Sequence, residues 1–448
     1  MTQEEALDIA KLGYNIYLTG AAGSGKTFVL HEYIAYLKAQ GIAVGITAST
    51  GVAATQIDGI TINSWAGVGV KKTLTTEDID ELLKRGYLRK RIQRTRVLII
   101  DEISMLASYT LDLVDQVCKA FKRSNAPFGG IQVILCGDFF QLPPISQASD
   151  VPFVNKSAVW EKLDLRVCYL DKEFRQEDEE FLKVLHEIRN NDVSKPSIKL
   201  LAERLYKPLD AISTRLYTHN VDVDTINNKE LAKLPGEMHS FSMQSSGNEN
   251  LVAIMQKSCL APKYLHLKKG AVVMFVKNNF DKGYVNGTIG QVIGFDNRDN
   301  PFVQIRDGNI IRVTPTDWTI EEDGLIKAQI KQLPLRLAWA ITVHKSQGMT
   351  IDAAEIDLGN PFLPGMGYVA LSRVRSLDGI RLVGFNHKAL EINEQALSFD
   401  KELKEASEKA QKELDEISWI EKEISQRLFI KELKEIGRRE YLQYRQYH

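Results

Sequence analysis

The sequence predicts an α/β protein built on parallel sheets, with two sets of α/β elements and an insertion in each. Three observations carry this. A glycine-rich turn, GAAGSGKT (20–27), stands between an apolar strand pattern, NIYLTG (15–20), and a helical stretch, TFVLHEYIAYLKAQ (27–40). Mostly apolar runs then end in acidic corners: VLII (97–100) before Asp101-Glu102, and IQVILC (131–136) before Gly137-Asp138. Buried parallel strands read this way, and their C-terminal ends collect ligands. A second α/β set starts at RLYTHN (215–220), breaks off, and resumes at LRLAWAITVHKSQG (335–348).

The elements follow in order. Gly41 closes the first long helix, and IAVGITAS (42–49) supplies the next strand, completing a β-loop-α-β unit. Residues 71–96 are helix-compatible and basic toward their end, and read as a small insertion. VCYL (167–170) is a further strand, and a helix around 181–190 leaves the first domain. From about 236 to 330 the second set is interrupted by GAVVMFVKN, VNGTIGQVIGF and FVQIRDGNIIRV. Their close spacing and Asn-Gly and Asp-Gly turns predict a small β-barrel. AAEIDL (353–358) and IRLVGF (380–385) complete the second sheet. Beyond about 390 the chain is helical and highly charged, with apolar residues Leu403, Leu414, Ile417, Ile420, Ile424 and Leu428 at helical spacing. This reads as an amphipathic helix pair packed on the body, with a partner-binding coiled coil as the alternative.

A chain of 448 residues implies two to four domains. Apolar residues at 44% and charged residues at 26% give an ordinary globular balance. No run approaches the roughly 18 apolar residues of a membrane span. The start, MTQEEALDIAK, is acidic and lacks the pattern of a signal or transit peptide, so a bacterial cytoplasmic protein is expected. Cys118, Cys136, Cys168 and Cys259 have no metal or redox spacing and read as reduced thiols. The net charge of −1 excludes a basic coat, so any nucleic-acid partner must bind a local groove.

GAAGSGKT fits G-x-x-x-x-G-K-[ST]. Its glycines let backbone N–H groups face a phosphate, Lys26 can neutralise β- and γ-oxygens, and Thr27 can ligate magnesium. Asp101 can hold that magnesium through water, and Glu102 can polarise an attacking water. GDFFQLPPIS (137–146) places Gln141 between two phenylalanines and a rigid Pro-Pro. A neutral amide there can donate to a γ-phosphate and accept from water. The alternative is a polar residue in a surface turn. Arg175 in EFRQ and Arg373 in ALSRVR are candidate cations for developing charge, or solvated arginines.

The ordered set GAAGSGKT, ASTGVAA, TINSWAG, IIDEIS, GDFFQLPP, EFRQ, ITVHKSQGMT and YVALSRVRS resembles the superfamily 1 helicase motifs in order and spacing. More closely, it resembles the PIF (petite integration frequency) family of superfamily 1B, bacterial type. TLDLVDQVCKAFKR (110–123) is similar to that family's signature segment, and the resemblance covers about residues 1–385. It implies two RecA-like P-loop NTPase domains, 1–64 with 97–180 and 181–235 with 331–388. It also implies a wedge insertion at 65–96, an SH3-like insertion at 236–330 and a C-terminal helical segment at 389–448. The implied activity is ATP-driven 5′-to-3′ translocation on single-stranded DNA. Duplex, and in some members G-quadruplexes or RNA–DNA hybrids, would be unwound in replication, repair or recombination. The implied protein is a monomer without DNA.

The resemblance also implies roles. ATP would meet Gly23, Ser24, Gly25, Lys26, Thr27, Gln141, Arg175, Gly348 and Arg373, with Gln3 reading adenine. Thr27 and Asp101 would hold magnesium. Lys26, Glu102, Gln141, Arg175 and Arg373 would be catalytic, the last two as arginine fingers. DNA would meet Ser49, Thr50, Gly51, Asn63, Ser64, Thr218, His219, Asn220, Thr342, His344, Lys345 and Ser346. Asn63 stands where the family often has histidine, which removes a ring from that position. Hydroxyls, amides and backbone N–H groups of this kind grip phosphates without reading bases. Trp65, Phe139 and Phe140 are either bases' stacking partners, at about 1–3 kcal/mol each, or core residues. Two other functions share these motifs: a RecD-like helicase subunit, against which the signature segment counts, and an ATP-gated single-strand-binding regulator that does not unwind.

Overall fold

The computed structural model describes residues 1–144, 152–176, 178–209, 212–217, 222–279, 281–322, 325–359 and 364–446, with backbone alone at 322 and 438–446. The chain forms two compact units. Unit 1 takes Met1–Phe139, Pro143–Glu173 and Phe399–His448, and unit 2 takes Phe140–Leu142 and Phe174–Ser398.

Unit 1 is built on six parallel strands: β1 (Ile16–Gly20), β2 (Val44–Ala48), β3 (Ile60–Thr61), β4 (Val97–Asp101), β5 (Gln132–Cys136) and β6 (Arg166–Leu170). Their order is β3-β2-β4-β5-β1-β6. Strands β1, β4 and β5 are buried at every residue, which is why their sequences are nearly continuous apolar runs. Helices α1 (Gln3–Lys11) and α2 (Lys26–Ala39) cover one region of the sheet through Ala6, Ile9, Val29, Leu30 and Leu37. Short helices α3 (Gly51–Gln56) and α4 (Ile62–Ala66) follow β2 and β3.

The 71–96 insertion is a pair of helices, α5 (Thr76–Lys84) and α6 (Gly86–Arg94). Thr75 starts α5 with a reciprocal capping box to Asp78. Leu82, Leu88 and Ile92 are buried, and both helices pack on α7 (Ser108–Lys122). Gly67, at φ +75, lets Leu88 close in, since a Cβ there would stand 2.6 Å from Leu88 Cδ1.

The C-terminal helices, Glu394–Asp415 and Trp419–Gln446, join unit 1 from Phe399 onward. Leu403 and Leu414 are buried as the sequence spacing indicates. In the second helix the buried face is different: Ile430 and Leu433 pack inward, while Ile420, Ile424 and Leu428 are exposed. Ser418 explains the change of phase. Its hydroxyl accepts from Glu421 N–H at 3.3 Å, while the Glu421 carboxylate accepts from Ser418 N–H at 2.9 Å. This capping box starts a new helix, so one apolar stripe cannot run across the break.

Unit 2 holds four parallel strands in the order Ala340–Thr342, Thr214–Tyr217, Ala354–Leu358, Ile380–Phe385. Between the first pair in sequence lies antiparallel structure. Its largest sheet runs Ile310–Arg312, Pro301–Ile305, Ile289–Phe295, Val272–Phe275, Leu335–Leu337, around a core of Val273, Phe275, Val292, Val303 and Leu335. The LRLAWAIT stretch therefore divides. Leu335–Leu337 closes the antiparallel sheet, and only Ala340–Thr342 returns to the parallel one. The Asp307-Gly308 turn joins two of the antiparallel strands, with Gly308 at φ +86. Among the described residues no helix is long and apolar enough to cross a membrane.

Candidate functional site

The phosphate loop runs from the end of β1 to the start of α2. Gly20, Gly23 and Gly25 take φ of +142, +91 and +85, values that only glycine adopts cheaply. At Gly20 a Cβ would lie 2.7 Å from the Leu170 carbonyl oxygen. Gly25 precedes α2 in the left-handed region and gives no side-chain cap. The first N–H groups of a 14-residue helix are thus left for a ligand. Lys26 Nζ curls over the loop and donates to the carbonyls of Gly20 at 2.8 Å and Ala21 at 2.9 Å. The Thr27 side chain is exposed beside it. Ser24 Oγ is buried and has no hydrogen-bond partner among the described residues. Gln3, at the start of α1, donates from Nε2 to the Ser24 carbonyl at 3.1 Å. Helix α1 thus brings the proposed adenine reader to the phosphate loop, across a sequence gap that spacing alone did not bridge.

The two acids end β4. Asp101 is buried, and its Oδ1 accepts from Glu102 N–H at 2.8 Å. Burial raises its pKa, against the opposing pull of the Cys136 thiol, the Glu102 N–H and the charges of Lys26 and His31. Cys136 ends β5, one residue beyond the Ile100–Leu135 pairing, and burial pushes its thiol well up. Glu102 sits at φ +52, ψ +44, a left-handed conformation that non-glycine residues rarely hold. Its carbonyl accepts from Ser49 Oγ at 2.6 Å, and the Asp101 carbonyl accepts from Ser49 N–H at 3.0 Å. Sequence reading placed Ser49 with DNA and Glu102 with water. It did not see that they are bonded, because nothing local connects residue 49 with residue 102.

GDFFQLPP is where the chain leaves one unit for the other. Phe139 is 5% exposed and packs edge-on against Tyr17, Phe153, Trp160 and Phe399 in unit 1. Expected on the DNA track, it is a core residue instead, because four rings already occupy its faces and edges. Phe140 is buried in unit 2, with the Arg189 guanidinium 4.1 Å from its ring and Tyr368 edge-on to it. Gln141 follows at 7% exposure. The two aromatics thus anchor the backbone just before the glutamine, Phe139 in unit 1 and Phe140 in unit 2, and are not free to stack on bases. Trp65 is likewise buried, against Gly45.

In unit 2, Arg175 Nη1 donates to the Ser372 carbonyl at 3.1 Å. Arg373 is 1% exposed, with Nε on the Val369 carbonyl at 3.1 Å and Nη2 on Ser372 Oγ at 3.3 Å. The sequence assigned Arg175 to the first α/β set and Arg373 to the second as a projecting side chain; both lie in unit 2, and Arg373 is buried. The segment after Ala340–Thr342 makes a turn. Thr342 Oγ1 accepts from Lys345 N–H at 3.2 Å, and Lys345 Nζ lies 3.7 Å from Asp224. Burial lowers the His344 pKa, so at neutral pH it offers a neutral ring. Ser346 is fully buried and donates from Oγ to the Val343 carbonyl at 2.8 Å. It therefore shapes the turn, and its hydroxyl is withdrawn from the DNA set. Gly348 closes the turn at φ +73 and is exposed. Thr218, His219 and Asn220 lie outside the described residues.

The remaining DNA candidates belong to unit 1. Thr50 caps α3 through its hydroxyl, which accepts from Ala53 N–H, and Gly51 opens that helix half-exposed. Ser64 Oγ accepts from Thr61 Oγ1, and Asn63 donates from Nδ2 to the Gly69 carbonyl at 2.8 Å. Asn63 and Ser64 are both half-buried, at the junction where the α5–α6 insertion begins.

A parallel α/β sheet with a phosphate loop at one strand end and paired acids at another defines an ATPase of the P-loop class. The comparisons with known proteins are more specific. Residues 3–198 match the family described as PIF1-like helicase, and 251–295 match the DNA helicase Pif1 2B domain. The ATP-dependent DNA helicase Pif1 of Psychrobacter is 41% identical over 95% of this chain and 74% of its own length. The human ATP-dependent DNA helicase PIF1 is 38% identical over 86% of the chain, which spans 61% of that relative. A crystal structure of Bacteroides Pif1 with ADP-AlF4 aligns with a TM-score of 0.78 at 31% identity, covering 90% of this chain and 96% of that one. A Bacteroides Pif1 bound to single-stranded DNA aligns at 0.62 and 32% identity over 90% and 96%. The chain belongs to the PIF1-like helicase family and is an ATP-dependent DNA helicase.

Proposed function

We propose that this helicase couples magnesium-dependent ATP hydrolysis to 5′-to-3′ translocation on single-stranded DNA. It unwinds duplex from single-strand/duplex junctions, with G-quadruplexes and RNA–DNA hybrids as further substrates. The observation that carries this reading is the phosphate loop of unit 1, joined by Gln3 from α1, with the Asp101–Glu102 pair at the end of β4 in the same parallel sheet, one strand removed from β1. The Bacteroides relative solved with single-stranded DNA supports the choice of track.

The donors suit magnesium: the Thr27 hydroxyl and the Asp101 carboxylate are hard oxygens. Such an ion would neutralise charge on the β- and γ-phosphate oxygens. This chain's own residues do the rest. Lys26 leaves the loop carbonyls for phosphate oxygens, and loop N–H groups hold the β-phosphate. Glu102 takes the proton of the attacking water, Gln141 reads the γ-phosphate, and Arg175 and Arg373 meet the developing charge. DNA lies on Ser49, Thr50, Gly51, Asn63, Ser64, Thr342, His344 and Lys345, with 218–220 in the same set. The two parallel sheets act as RecA-like domains, the α5–α6 pair as a wedge at the fork, and 236–330 as an SH3-like insertion. The protein works as a monomer before it meets DNA, in the bacterial cytoplasm.

Strand displacement on partial duplexes with 5′ or 3′ tails tests the reading. Displacement of the 5′-tailed substrate alone is expected. Robust ATPase with no displacement of either would replace a helicase by an ATP-gated strand-binding regulator.

A further inference from the structure

The nucleotide loop is supported from a direction that none of the motifs covers. Gln3 reaches it from α1, and α1 is held on its far side by the C-terminal helices. Ala6, Ile9 and Ala10 of α1 share one core with Ala410, Leu414, Ile430 and Leu433. Two polar ties add direction: Gln411 Nε2 donates to Glu5 Oε1 at 3.1 Å, and Gln426 Nε2 to Asp8 Oδ1 at 3.4 Å. Burial works against the charge of Glu5, but hydrogen bonds from Thr2 and Gln411 outweigh it and lower its pKa. Just past α1, Gly13 lies at φ +94 directly beneath Phe429. A Cβ there would stand 2.6 Å from the ring, so only glycine lets the ring close on the chain.

We infer that the C-terminal helix pair is a brace for the nucleotide site. It fixes α1, and through α1 the Gln3 amide, so residues 399–437 set adenine-nucleotide affinity and base choice without touching the nucleotide. Phe429, Gln411 and Gln426 are positioning residues. The inference rests on Gln3 as the adenine contact. A glutamine amide matches the donor and acceptor on adenine's N6/N7 edge and mismatches the guanine edge. Displacing α1 spoils that match. Asp101 ends β4, Glu102 follows it and Lys26 opens α2, so none of the three is carried on α1. The brace therefore has a signature that general destabilisation lacks: KM and base preference move, and kcat at saturation does not.

The test uses the full chain with saturating single-stranded DNA and measures kcat and KM for ATP and GTP. Phe429→Ala is expected to raise KM for ATP about five-fold and to erode the ATP preference, with kcat within about two-fold, and Phe429→Leu to recover most of that affinity. Gln411→Glu sets a second carboxylate against Glu5 at a part-exposed site, and needs no core cavity. It is expected to shift KM in the same direction by roughly two- to three-fold. If Phe429→Ala does not fold, Gln411→Glu decides. Gln3→Ala separates the two ideas. If it leaves base preference unchanged, the adenine reading fails. If it abolishes preference while folded Phe429→Ala and Gln411→Glu keep wild-type KM and preference, the brace is overturned.

Discussion

The two units hold their catalytic groups in opposite ways. In unit 1 the groups face outward: Thr27 is exposed, the first N–H groups of α2 carry no side-chain cap, and Lys26 rests on two loop carbonyls that a phosphate can replace. In unit 2 Arg373 is sunk to 1% exposure and bonded to Val369 and Ser372, and Arg175 bonds the carbonyl of that same Ser372. The phosphate cradle is formed in advance, whereas the cations that would meet transition-state charge are bound to their own unit. Releasing a charged hydrogen bond costs about 1.5–3 kcal/mol before a new partner repays it. Nucleotide binding should therefore depend chiefly on unit 1. Hydrolysis should wait for a rearrangement in unit 2, and stimulation by DNA is expected to act largely there.

The sharpest break of this comparison is made in unit 1. Lys26→Ala should abolish hydrolysis and weaken ATP binding together. Glu102→Gln should bind ATP normally and lose about 10²–10⁴-fold in kcat. Normal turnover by Glu102→Gln would remove the carboxylate from water activation. In unit 2 the expectation is different: Arg373→Ala should keep ATP affinity and lose about 10³-fold in kcat. Because Arg373 is buried, Arg373→Lys should be measured beside it for thermal stability. A kcat lost in Arg373→Ala at wild-type stability and partly kept in Arg373→Lys assigns the effect to charge. If Arg373→Ala weakened ATP binding as Lys26→Ala does, the division between a preformed and a withheld half would be wrong.

How much of this was legible in the sequence follows from locality. The phosphate loop, the acids at the end of β4 and the insertion helices are written in contiguous residues, and each appears where its pattern placed it. What failed was long-range. The apolar spacing Ile417–Ile420–Ile424–Leu428 looks like one buried stripe, but the Ser418 cap restarts the helix, and Ile430 and Leu433 go inward. Phe139 and Phe140 look equivalent, yet they belong to different units, a fact set by Trp160, Phe399, Arg189 and Tyr368 and not by their neighbours in sequence. The burial of Arg373 and Ser346 is equally invisible in a motif, because a motif gives a residue type and not its partners.

The α5–α6 insertion gives an intermediate effect. Of its basic residues, Arg89 donates to the Leu83 carbonyl and Arg91 to those of Ser64 and Trp65, so these two hold the structure together. Lys84, Arg85 and Lys90 are exposed. Replacing the whole insertion would remove Leu82, Leu88 and Ile92 from the packing on α7, so a charge change is the cleaner test. Changing Lys84, Arg85 and Lys90 to Ala should leave DNA-stimulated ATPase intact and slow unwinding of a 5′-tailed duplex. The salt dependence of junction binding should flatten by up to roughly one unit of slope for each phosphate that is no longer neutralised. Unchanged unwinding at matched ATPase would make this face a charged excursion only.

The smallest effect belongs to Ser49. It lies in a segment assigned to DNA, yet its hydroxyl donates to the Glu102 carbonyl at 2.6 Å and its N–H to the Asp101 carbonyl at 3.0 Å. Glu102 is held in a left-handed conformation that costs free energy unless its surroundings enforce it. Ser49 is one of the enforcing groups, and DNA on this segment would press on the same hydrogen bond. That gives unit 1 a share in stimulation despite its preformed cradle. Ser49→Ala should keep ATP affinity, change DNA affinity little, and lower DNA-stimulated kcat about five-fold, the worth of one hydrogen bond of roughly 1 kcal/mol. Ser49→Thr should restore it, since the hydroxyl survives. If Ser49→Ala instead weakened DNA binding with kcat unchanged, the hydroxyl would belong to DNA alone, and stimulation would rest entirely with unit 2.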